Sequence, residues 1–548
     1  MRYRGAAAAT AALTVTVTLL TAACSSPMPG PRGDATAFLN AWARQDWGAM
    51  RALTQAPPAN FEAVNQAAFT ALGVRQATFA QGFLDQSDQS DATASELVTE
   101  RLQLNGLGQL TVDTTLHLTQ QQNGKWLVNW TPSTIVPQLK PGDRLRIQTF
   151  WPHRGQILAA NGTPLAVKEH HQWQAITAGL ADGMVGTMGP VTAQELKRLG
   201  APYQHQNVVG QSGLQAGEER RLAGSPGATI TVVNSAGATV STIRSYPAQP
   251  GKNVRTTIDL RAQQAAEAAL ASEKKTAALV AVDARTGEVL AAASVNAGYD
   301  AALAGGFPPG STFKILDSTA LIERGLTPES AASCPKTITE DGEVFHNAEG
   351  DGPVSTVLQA FTESCNTAFI GLVANDLNDA QIEAAAAQYR IGKAMHLGLD
   401  AFPGSVPKPK DGADLAATSI GQGRVLMAPL DMAMVAAAVD TGTVHAAKLV
   451  NGTTTTAAAK LPSAVVNSLH TMMASVVSSG TAAGTGLPAG TYAKTGTAEY
   501  GTTKPLKLDA WLVGFHGDIA FAAVVVDSPG DGGPTCGPIV ARFLSSLG

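Results

Sequence analysis

A serine and a lysine three positions apart, directly after a rigid turn, constrain this chain more than any other feature of its sequence. A Phe-Pro-Pro-Gly segment at 307–310 precedes Ser311, and a pattern typical of a helix continues from this serine to Glu323. Because residues i and i+3 share one helix face, we expect the Lys314 amine within hydrogen-bond reach of the Ser311 hydroxyl. A serine needs such a base to act as a nucleophile, so the segment predicts a catalytic site.

The same spacing also occurs elsewhere in the chain, for example at Ser272 with Lys275 and at Ser405 with Lys408. Ser405 and Lys408 are separated by Pro407, which disfavours a helix there. Ser272 and Lys275 lie at the polar end of a predicted helix, where a solvated surface is expected. The spacing alone is therefore weak evidence, and the choice of Ser311 depends on two further motifs.

These motifs are a Ser-Cys-Asn sequence at 364–366 and a single Lys-Thr-Gly-Thr sequence at 494–497. Taken alone, the first is usually a helix cap and the second a strand end with a turn. Following the serine–lysine pair in this order, they match the S-x-x-K, S-D-N and K-T-G pattern of class A β-lactamases and penicillin-binding proteins. The ordered combination predicts one catalytic domain.

Several other segments support a resemblance to class B penicillin-binding proteins. Ser-Ile-Gly-Gln-Gly at 419–423, the stretch 477–482 and the strand-like segment 509–515 each resemble a recurrent part of that family. Residues 34–138 resemble the nuclear-transport-factor-like domain of methicillin-resistance-type members, and the N-terminus resembles that of an actinobacterial penicillin-binding lipoprotein. Two departures lie between these regions, Ala159-Ala160 in place of Asp-Arg and Gln215 in place of Glu.

The resemblance implies a multidomain α+β fold. Its C-terminal domain is expected to be of the serine transpeptidase/β-lactamase type, an antiparallel sheet with helices on both sides plus an all-helical subdomain. The length of 548 residues is enough for three or four domains. We expect a lipoprotein signal peptide at 1–23, a linker at 24–33, a nuclear-transport-factor-like domain at 34–138, an irregular dimerisation-type domain at 139–251 and a transpeptidase domain at 252–548.

Local patterns add predictions for individual elements. Apolar residues recur at helical spacing over 35–44, and the apolar residues Leu110, Val112, Leu116 and Leu118 fall on alternate positions, as on one face of a strand. Asp259 is a candidate N-cap for an Ala-rich helix that ends near Leu270. A hairpin is expected over 276–294.

The resemblance also implies a reaction, the cross-linking of peptidoglycan stem peptides that end in D-Ala-D-Ala. Ser311 would attack the carbonyl of the penultimate D-alanine, expel the terminal one and pass the acyl group to an amine of a neighbouring stem; β-lactams would acylate the same serine. Neutral Lys314 would take the serine proton, helped by cationic Lys494, which lowers the pKa of a nearby amine. Ser364 would relay a proton, and Asn366 would hold the substrate amide.

The Lys-Thr-Gly-Thr segment is expected to bind the substrate. Thr495 and Thr497 offer hydroxyls to its carboxylate, and Gly496 lets the backbone approach an extended peptide. The backbone N–H groups of Ser311 and Thr497 are the expected oxyanion hole. Strict strand alternation places Lys494 and Thr495 on opposite faces, so the arrangement requires a twisted edge strand.

The N-terminus predicts export. Arg2 and Arg4 precede an uncharged run from Gly5 to Ala23, and small residues lead to Cys24. This pattern favours a lipidated Cys24 at the extracytoplasmic face of the cell membrane, and the alternative is a single transmembrane anchor.

The remaining composition excludes several classes of site. The net charge of −5 provides no basic field for nucleic acid, and the four cysteines form no C-x-x-C cluster, so a cysteine-built metal site is not expected. The prediction includes no metal and no cofactor. With Cys24 lipidated, at most one disulfide can form. Cys334 with Cys536 is one candidate pair that the sequence leaves open, and Cys365 is interpreted as a small buried side chain.

Alternative functions remain at this point. The same residues suit a D,D-carboxypeptidase or endopeptidase that uses water as acceptor, and a class D β-lactamase is a further alternative. A non-catalytic β-lactam sensor or wall scaffold belongs to a different class, and the intact Ser311, Lys314 and Lys494 argue against it. A glycosyltransferase or other proteins of the division or elongation machinery are the expected partners. The acceptor stem, the β-lactam affinity and the oligomeric state stay open.

Overall fold

The computed structural model describes residues 30–86, 92–169, 172–177, 180–347, 354–452, 458–501 and 506–548. The predicted signal peptide and Cys24 lie outside these residues. The chain forms two compact units, the first made of residues up to 150 together with 227–247, and the second of 151–226 together with 248–548. Each unit is described separately.

The first unit combines three helices with an antiparallel sheet whose strands follow chain order. The predicted helix is present as Pro31–Ala43, and the alternation from Leu110 to Leu118 falls on one buried face of a strand. The other helices are Trp47–Ala52 and Phe61–Leu72, with a short 3-10 turn at Pro132–Thr134. The strands are Val74–Asp85, Thr93–Leu104, Gly108–Gln120 and Trp126–Val128.

A second sheet in this unit joins distant parts of the chain. Arg144–Phe150 pairs with Gly227–Val233, which in turn pairs with Thr239–Tyr246. Ile230 and Val232 are buried in the same apolar cluster as the first sheet. The hairpin formed by residues 227–247 therefore packs in the first unit, although it follows residues of the second unit along the chain. The expected boundaries at 138 and 251 remain predictions.

The N-terminal part of the second unit consists of short elements held by a buried ion pair. Arg154 lies 2.7 Å from a carboxylate oxygen of Glu219, and its Nε donates to the Gln215 side chain at 2.9 Å. Gln215, one of the departures from the family pattern, thus keeps a contact to the arginine. The short strands are Ile157–Leu158, Ala166–Glu169, Gln172–Ala175, Met188–Pro190, Val208–Gly210 and Val254–Arg255, and the short helices are Ala193–Leu199, Gly213–Gly217 and Glu219–Ala223, with a π-turn at Ala181–Val185.

The centre of the second unit is a five-stranded antiparallel sheet. Its strand order is Val289–Val295, Ala277–Asp283, Ile519–Val525, Lys507–His516 and Thr491–Tyr500. Helices Leu260–Leu270 and Gly532–Leu547 pack together on it, and so do Pro429–Thr441 and Ser463–Ser478. Asp259 accepts a hydrogen bond from the Ala262 N–H, which confirms the predicted helix cap. The last strand in this order, Thr491–Tyr500, is an edge strand.

A mainly helical region completes the second unit. Its helices are Ala301–Ala304, Lys314–Glu323, Val357–Thr362, Asn366–Asp376, Asp379–Gln388 and Gly412–Ser419. Two small hairpins are formed by Thr337–Glu340 with Glu343–His346 and by Thr443–Val444 with Ala459–Lys460. Within the described ranges, no helix is long and apolar enough to cross a membrane.

Candidate active site

Ser311 lies in a 3-10 turn, Gly310–Phe313, and the α-helix begins at Lys314. The α-helix therefore starts three residues later than the sequence pattern predicts. The cause is a tertiary contact, because Gly310 has a φ of +53° and its N–H bonds to the carbonyl of the distant Gly421 at 2.9 Å. The shift leaves the expected pair in contact, with 2.9 Å between the Lys314 Nζ and the Ser311 Oγ.

Two glycines allow the backbone segments around this turn to approach closely. A Cβ on Gly421 would lie 2.1 Å from the Gly310 carbonyl oxygen, and a Cβ on Gly310 would lie 2.9 Å from the Thr497 carbonyl. Neither distance accommodates a side chain. The Ser-Ile-Gly-Gln-Gly segment therefore supports the serine turn through its backbone.

Lys314 is fully buried, and its amine contacts three oxygen atoms. It donates to the Ser364 carbonyl at 2.6 Å and to the Asn366 Oδ1 at 2.8 Å. A neutral amine has two N–H bonds and one lone pair, whereas an ammonium group has three N–H bonds and none. With two N–H bonds directed at these acceptors, the third direction, toward the Ser311 hydroxyl, suits the lone pair of a base.

Ser364 connects the two lysines. Its carbonyl accepts from Lys314, and its Oγ accepts from the Lys494 Nζ at 2.8 Å. The residue has a φ of +61°, which is unusual for a side chain other than glycine, and it lies in the turn between helices Val357–Thr362 and Asn366–Asp376. Ser364 therefore contacts both lysines, but through two different atoms, its hydroxyl and its backbone carbonyl.

Lys494 is also fully buried, and this burial lowers the pKa of its amine to about 7. Its Nζ lies 5.4 Å from the centre of the Phe361 ring and donates to the Thr495 carbonyl at 3.1 Å. At neutral pH both the ammonium and the amine are therefore populated. The sequence-based expectation of a simple cation is incomplete, because it did not include the cost of removing this charge from water.

The edge strand Thr491–Tyr500 presents its threonines to the cleft. Thr495 shares a 2.5 Å hydrogen bond with the Thr481 hydroxyl, and the Thr497 Oγ1 accepts from the Gly532 N–H at 3.1 Å. Both threonines line the cleft, whereas Lys494 reaches Ser364 from a buried position. Strand alternation places the Lys494 and Thr495 side chains on opposite faces, and this is compatible with both residues contributing to one site.

Gly496 has a packing role in addition to the expected one. A Cβ at this position would lie 2.7 Å from the Pro309 carbonyl oxygen. On the neighbouring strand, the Trp511 Nε1 donates to the Pro308 carbonyl at 2.8 Å. The proline–proline turn before Ser311 is therefore held directly against the sheet.

The cleft has a volume of about 750 Å³ and includes residues to which the sequence assigned no role. Thr481 lies in the recurrent 477–482 stretch, and this stretch is the sequence feature that could have identified it as a residue of the cleft. Gln422 lies in the Ser-Ile-Gly-Gln-Gly segment. Other lining side chains belong to no motif, and they include Glu343, His346, Glu363, Glu499 and Asp531. Within the residues placed by the structure, no group of His, Cys, Asp or Glu is arranged to hold a metal ion.

The cysteine pairing differs from the candidate pair. Cys334 forms a disulfide with Cys365, and Cys536 is a buried free thiol. Cys365 faces the loop that follows the Lys314 helix, whereas Cys536 lies in a helix on the sheet, where its thiol donates to the Ala510 carbonyl at 3.2 Å. A pairing of Cys334 with Cys536 is therefore wrong. Cys365 is buried, as expected, but it is bonded to Cys334.

Three protein families match the chain in order. The NTF2-like N-terminal transpeptidase domain matches residues 30–143, the penicillin-binding protein dimerisation domain matches 174–256, and the penicillin-binding protein transpeptidase domain matches 277–545. All four motif positions of the cleft, Ser311, Lys314, Ser364 and Lys494, fall within the last match.

Similar curated proteins include peptidoglycan D,D-transpeptidases of two mycobacteria. Peptidoglycan D,D-transpeptidase PbpA of Mycolicibacterium smegmatis is 30% identical over 236 residues, which cover 34% of this chain and 46% of the relative. PbpA of Mycobacterium tuberculosis is 30% identical over 239 residues, covering 35% and 47%. The chain thus spans about half the length of the curated relatives it matches.

Solved structures show the same fold. Penicillin-binding protein PBP2 of Helicobacter pylori, solved with MreC, has a TM-score of 0.64 at 18% identity over 74% of this chain and 99% of its own. PBP2 of Pseudomonas aeruginosa, solved with WCK 5153, has a TM-score of 0.61 at 23% identity over 73% and 96%. These matches confirm the predicted multidomain α+β architecture. The three ordered family matches and the PbpA relatives show that the chain belongs to the class B penicillin-binding proteins, with an NTF2-like N-terminal domain.

Proposed function

We propose that this protein is a D,D-transpeptidase that cross-links peptidoglycan stem peptides through an acyl-enzyme on Ser311. The observation that carries the proposal is the contact of 2.9 Å between the Lys314 amine and the Ser311 hydroxyl, with Ser364 and Asn366 accepting from the same amine. This geometry places a base at a nucleophile, which is the requirement for covalent acyl transfer. The name of the PbpA relatives agrees with it.

In the first half-reaction the Ser311 Oγ attacks the carbonyl carbon of the penultimate D-alanine, and its proton passes to the Lys314 amine. The resulting oxyanion is stabilised by the backbone N–H groups of Ser311 and Thr497. When the peptide bond breaks, the leaving amine of the terminal D-alanine takes a proton through Ser364, which receives one from Lys494. The ester on Ser311 and a free D-alanine remain.

In the second half-reaction the amine of a neighbouring stem attacks this ester. The amine loses a proton to the lysine pair, the bond from carbon to the Ser311 Oγ breaks, and the serine recovers its proton. The products are a cross-linked peptide and the free enzyme. The contact of Lys314 with the Ser311 hydroxyl and that of Lys494 with the Ser364 hydroxyl serve both directions of proton transfer.

The edge strand binds the donor peptide in this mechanism. An extended peptide adds to the free edge of Thr491–Tyr500, and the close packing of Gly496 against Pro309 keeps that edge next to the nucleophile. The Thr495 and Thr497 hydroxyls bind the substrate carboxylate, and Asn366 holds the substrate amide. β-Lactams, which present a similar carboxylate and carbonyl, acylate the same serine.

Attachment and partners are part of the proposal. Lipidation of Cys24 would hold the enzyme at the extracytoplasmic face of the membrane, and an uncleaved N-terminal anchor would leave residues 1–23 in the protein. The Helicobacter pylori relative was solved with MreC, and a further structural relative belongs to a peptidoglycan synthase complex. We therefore include a glycosyltransferase or elongation proteins among the partners. Mass spectrometry of the N-terminal peptide from extracted membranes distinguishes the two modes of attachment.

Labelling with a fluorescent penicillin followed by peptide mapping tests the chemistry. The label is expected on Ser311, and a label on another serine would contradict the proposal. Product analysis with a D-Ala-D-Ala stem peptide and an amine acceptor then separates the reactions: a cross-linked dimer supports the transpeptidase, whereas only hydrolysed donor supports the carboxypeptidase alternative.

A further inference from the structure

We propose that the disulfide between Cys334 and Cys365 positions the catalytic turn, so that acylation of Ser311 depends on its oxidation. The proposal rests on the proposed function. Cys365 lies between Ser364 and Asn366, the two residues whose oxygen atoms accept from Lys314 at 2.6 and 2.8 Å. A displacement of Cys365 therefore moves both acceptors that orient the base.

The turn needs a restraint. Ser364 has a φ of +61°, in the left-handed region that disfavours a side chain. It is held by hydrogen bonds from the Ser364 N–H to the Phe361 carbonyl at 3.2 Å and from the Cys365 N–H to the Ala360 carbonyl at 2.9 Å. Such conformations persist only where the surroundings hold them, and the disulfide is a covalent part of those surroundings.

The other end of the disulfide is fixed as well. The Asn347 side chain donates to the Pro335 carbonyl at 2.8 Å and to the Thr367 Oγ1 at 3.0 Å, and it accepts from the Thr367 N–H at 2.9 Å. Thr367 also donates to the Pro335 carbonyl at 2.6 Å. The loop at Cys334 and the first turn of the Asn366–Asp376 helix thus form one connected unit, through which the disulfide acts on Ser364.

The two sulfur atoms differ in access. Cys365 is fully buried, whereas Cys334 is partly exposed, so a small dithiol can attack the Cys334 sulfur. The dithiol supplies two electrons and two protons; the sulfur–sulfur bond breaks, two cysteine thiols form, and the reductant becomes a cyclic disulfide. The free Cys365 sulfur then still accepts the hydrogen bond from the Ala368 N–H, but its covalent bond to Cys334 is lost.

The test compares the oxidised full chain with the same protein reduced by dithiothreitol, using a fluorescent penicillin. Stopped-flow measurement at several penicillin concentrations separates the acylation rate constant from the dissociation constant of the initial complex. We expect reduction to lower the rate constant at least tenfold, with the dissociation constant changed less than threefold, and reoxidation to restore the rate. Measurements are made well below the unfolding temperature.

Two variants serve as controls. C334S/C365S is expected to react at the reduced rate and not to respond to dithiothreitol, because the introduced hydroxyl at position 365 keeps an acceptor for the helix cap while the cross-link is absent. Cys536→Ser retains the disulfide and should respond like the wild type.

A rate constant that falls less than tenfold after complete reduction, verified by thiol titration, overturns the proposal even if the unfolding temperature falls, since a merely stabilising cross-link gives that result. If reduction unfolds the protein, the folded double variant decides. Failure of the oxidised wild type to label Ser311 contradicts the proposed function instead.

Discussion

Lys314 and Lys494 in the cleft and Glu100 in the N-terminal sheet are all fully buried ionisable side chains, but their surroundings differ. The lysine amines make hydrogen bonds to the Ser364 carbonyl and hydroxyl. Among the described residues, neither oxygen of Glu100 has a hydrogen-bond partner, and burial raises the pKa of its carboxyl well above its usual value. A buried ionisable group with hydrogen-bond partners can exchange a proton with them. A buried carboxyl without such partners stays neutral and lowers the stability of the folded state.

Replacement of the nucleophile tests the cleft with the largest expected effect. Ser311→Ala removes one hydroxyl from a buried turn, so covalent penicillin labelling should disappear while the unfolding temperature changes little. Gel fluorescence and thermal unfolding measure the two quantities. The matched control is Ser272→Ala, which alters the exposed serine of another S-x-x-K sequence and should label like the wild type. Normal labelling of the Ser311 variant would mean that the wrong serine was chosen.

Removal of the Lys494 amine should separate activity from stability. Lys494→Met eliminates the proton donor to Ser364, and we expect acylation to slow by about 10²- to 10⁴-fold, the usual contribution of a general acid or base. The fully buried ammonium destabilises the folded state below its folded pKa of about 7, and this cost vanishes above 10.5. At pH 6 the variant should therefore be more stable than the wild type, by up to about 5 kcal/mol, and should unfold at a higher temperature.

Thermal unfolding at pH 6 and pH 10 tests how the stability difference between Lys494→Met and the wild type depends on pH. The gain in stability should shrink as pH rises from 7 toward 10.5, because the folded state holds a neutral amine and removing the proton from the unfolded-state amine costs less at higher pH. A constant difference between the two proteins across this range would show that packing, and not the charge of Lys494, causes it.

A substitution of Gly421, which contacts the serine turn, should slow acylation less than substitutions of the reacting groups. In Gly421→Ala, the new Cβ would lie 2.1 Å from the Gly310 carbonyl at a φ of +66°, so the turn must shift. We expect acylation to slow by about tenfold, or about 1.4 kcal/mol. Gly371→Ala is the control, because its Cβ would meet nothing closer than 3.6 Å. Equal rates for both variants would show that this close approach does not position Ser311.

The smallest effect on activity is expected in the N-terminal sheet. Glu100→Gln replaces the carboxyl with an amide of similar shape, so penicillin acylation should not change. Because the folded state raises the pKa of Glu100, the wild type loses stability as pH rises above 4.5, whereas the variant does not. The variant should be more stable at pH 8 by about 1–3 kcal/mol and nearly equal at pH 4.

Unfolding curves at both pH values measure this difference, with Glu62→Gln, an exposed glutamate, as the control. A loss of acylation in Glu100→Gln would contradict the contrast between the two regions, because it would give the buried carboxyl a role in the reaction.

Local elements of the fold were predictable because their causes lie within a few residues. The cap at Asp259, the alternation from Leu110 to Leu118 and the spacing of Ser311 and Lys314 all depend on backbone periodicity. The start of the α-helix at Lys314 was missed, since it depends on Gly421, a residue far along the chain that bonds to Gly310.

The amino-acid sequence by itself determined the family, the order of the three motifs and the chemical types of the side chains in the cleft. Tertiary structure alone decided that Cys334 pairs with Cys365, that the hairpin at 227–247 packs in the first unit, and that Lys494 is buried deeply enough for its pKa to fall to about 7. The reason is physical: a motif specifies which groups are available, whereas a cross-link, a strand pairing or a desolvated charge depends on distances between residues that only the packing of the whole unit sets.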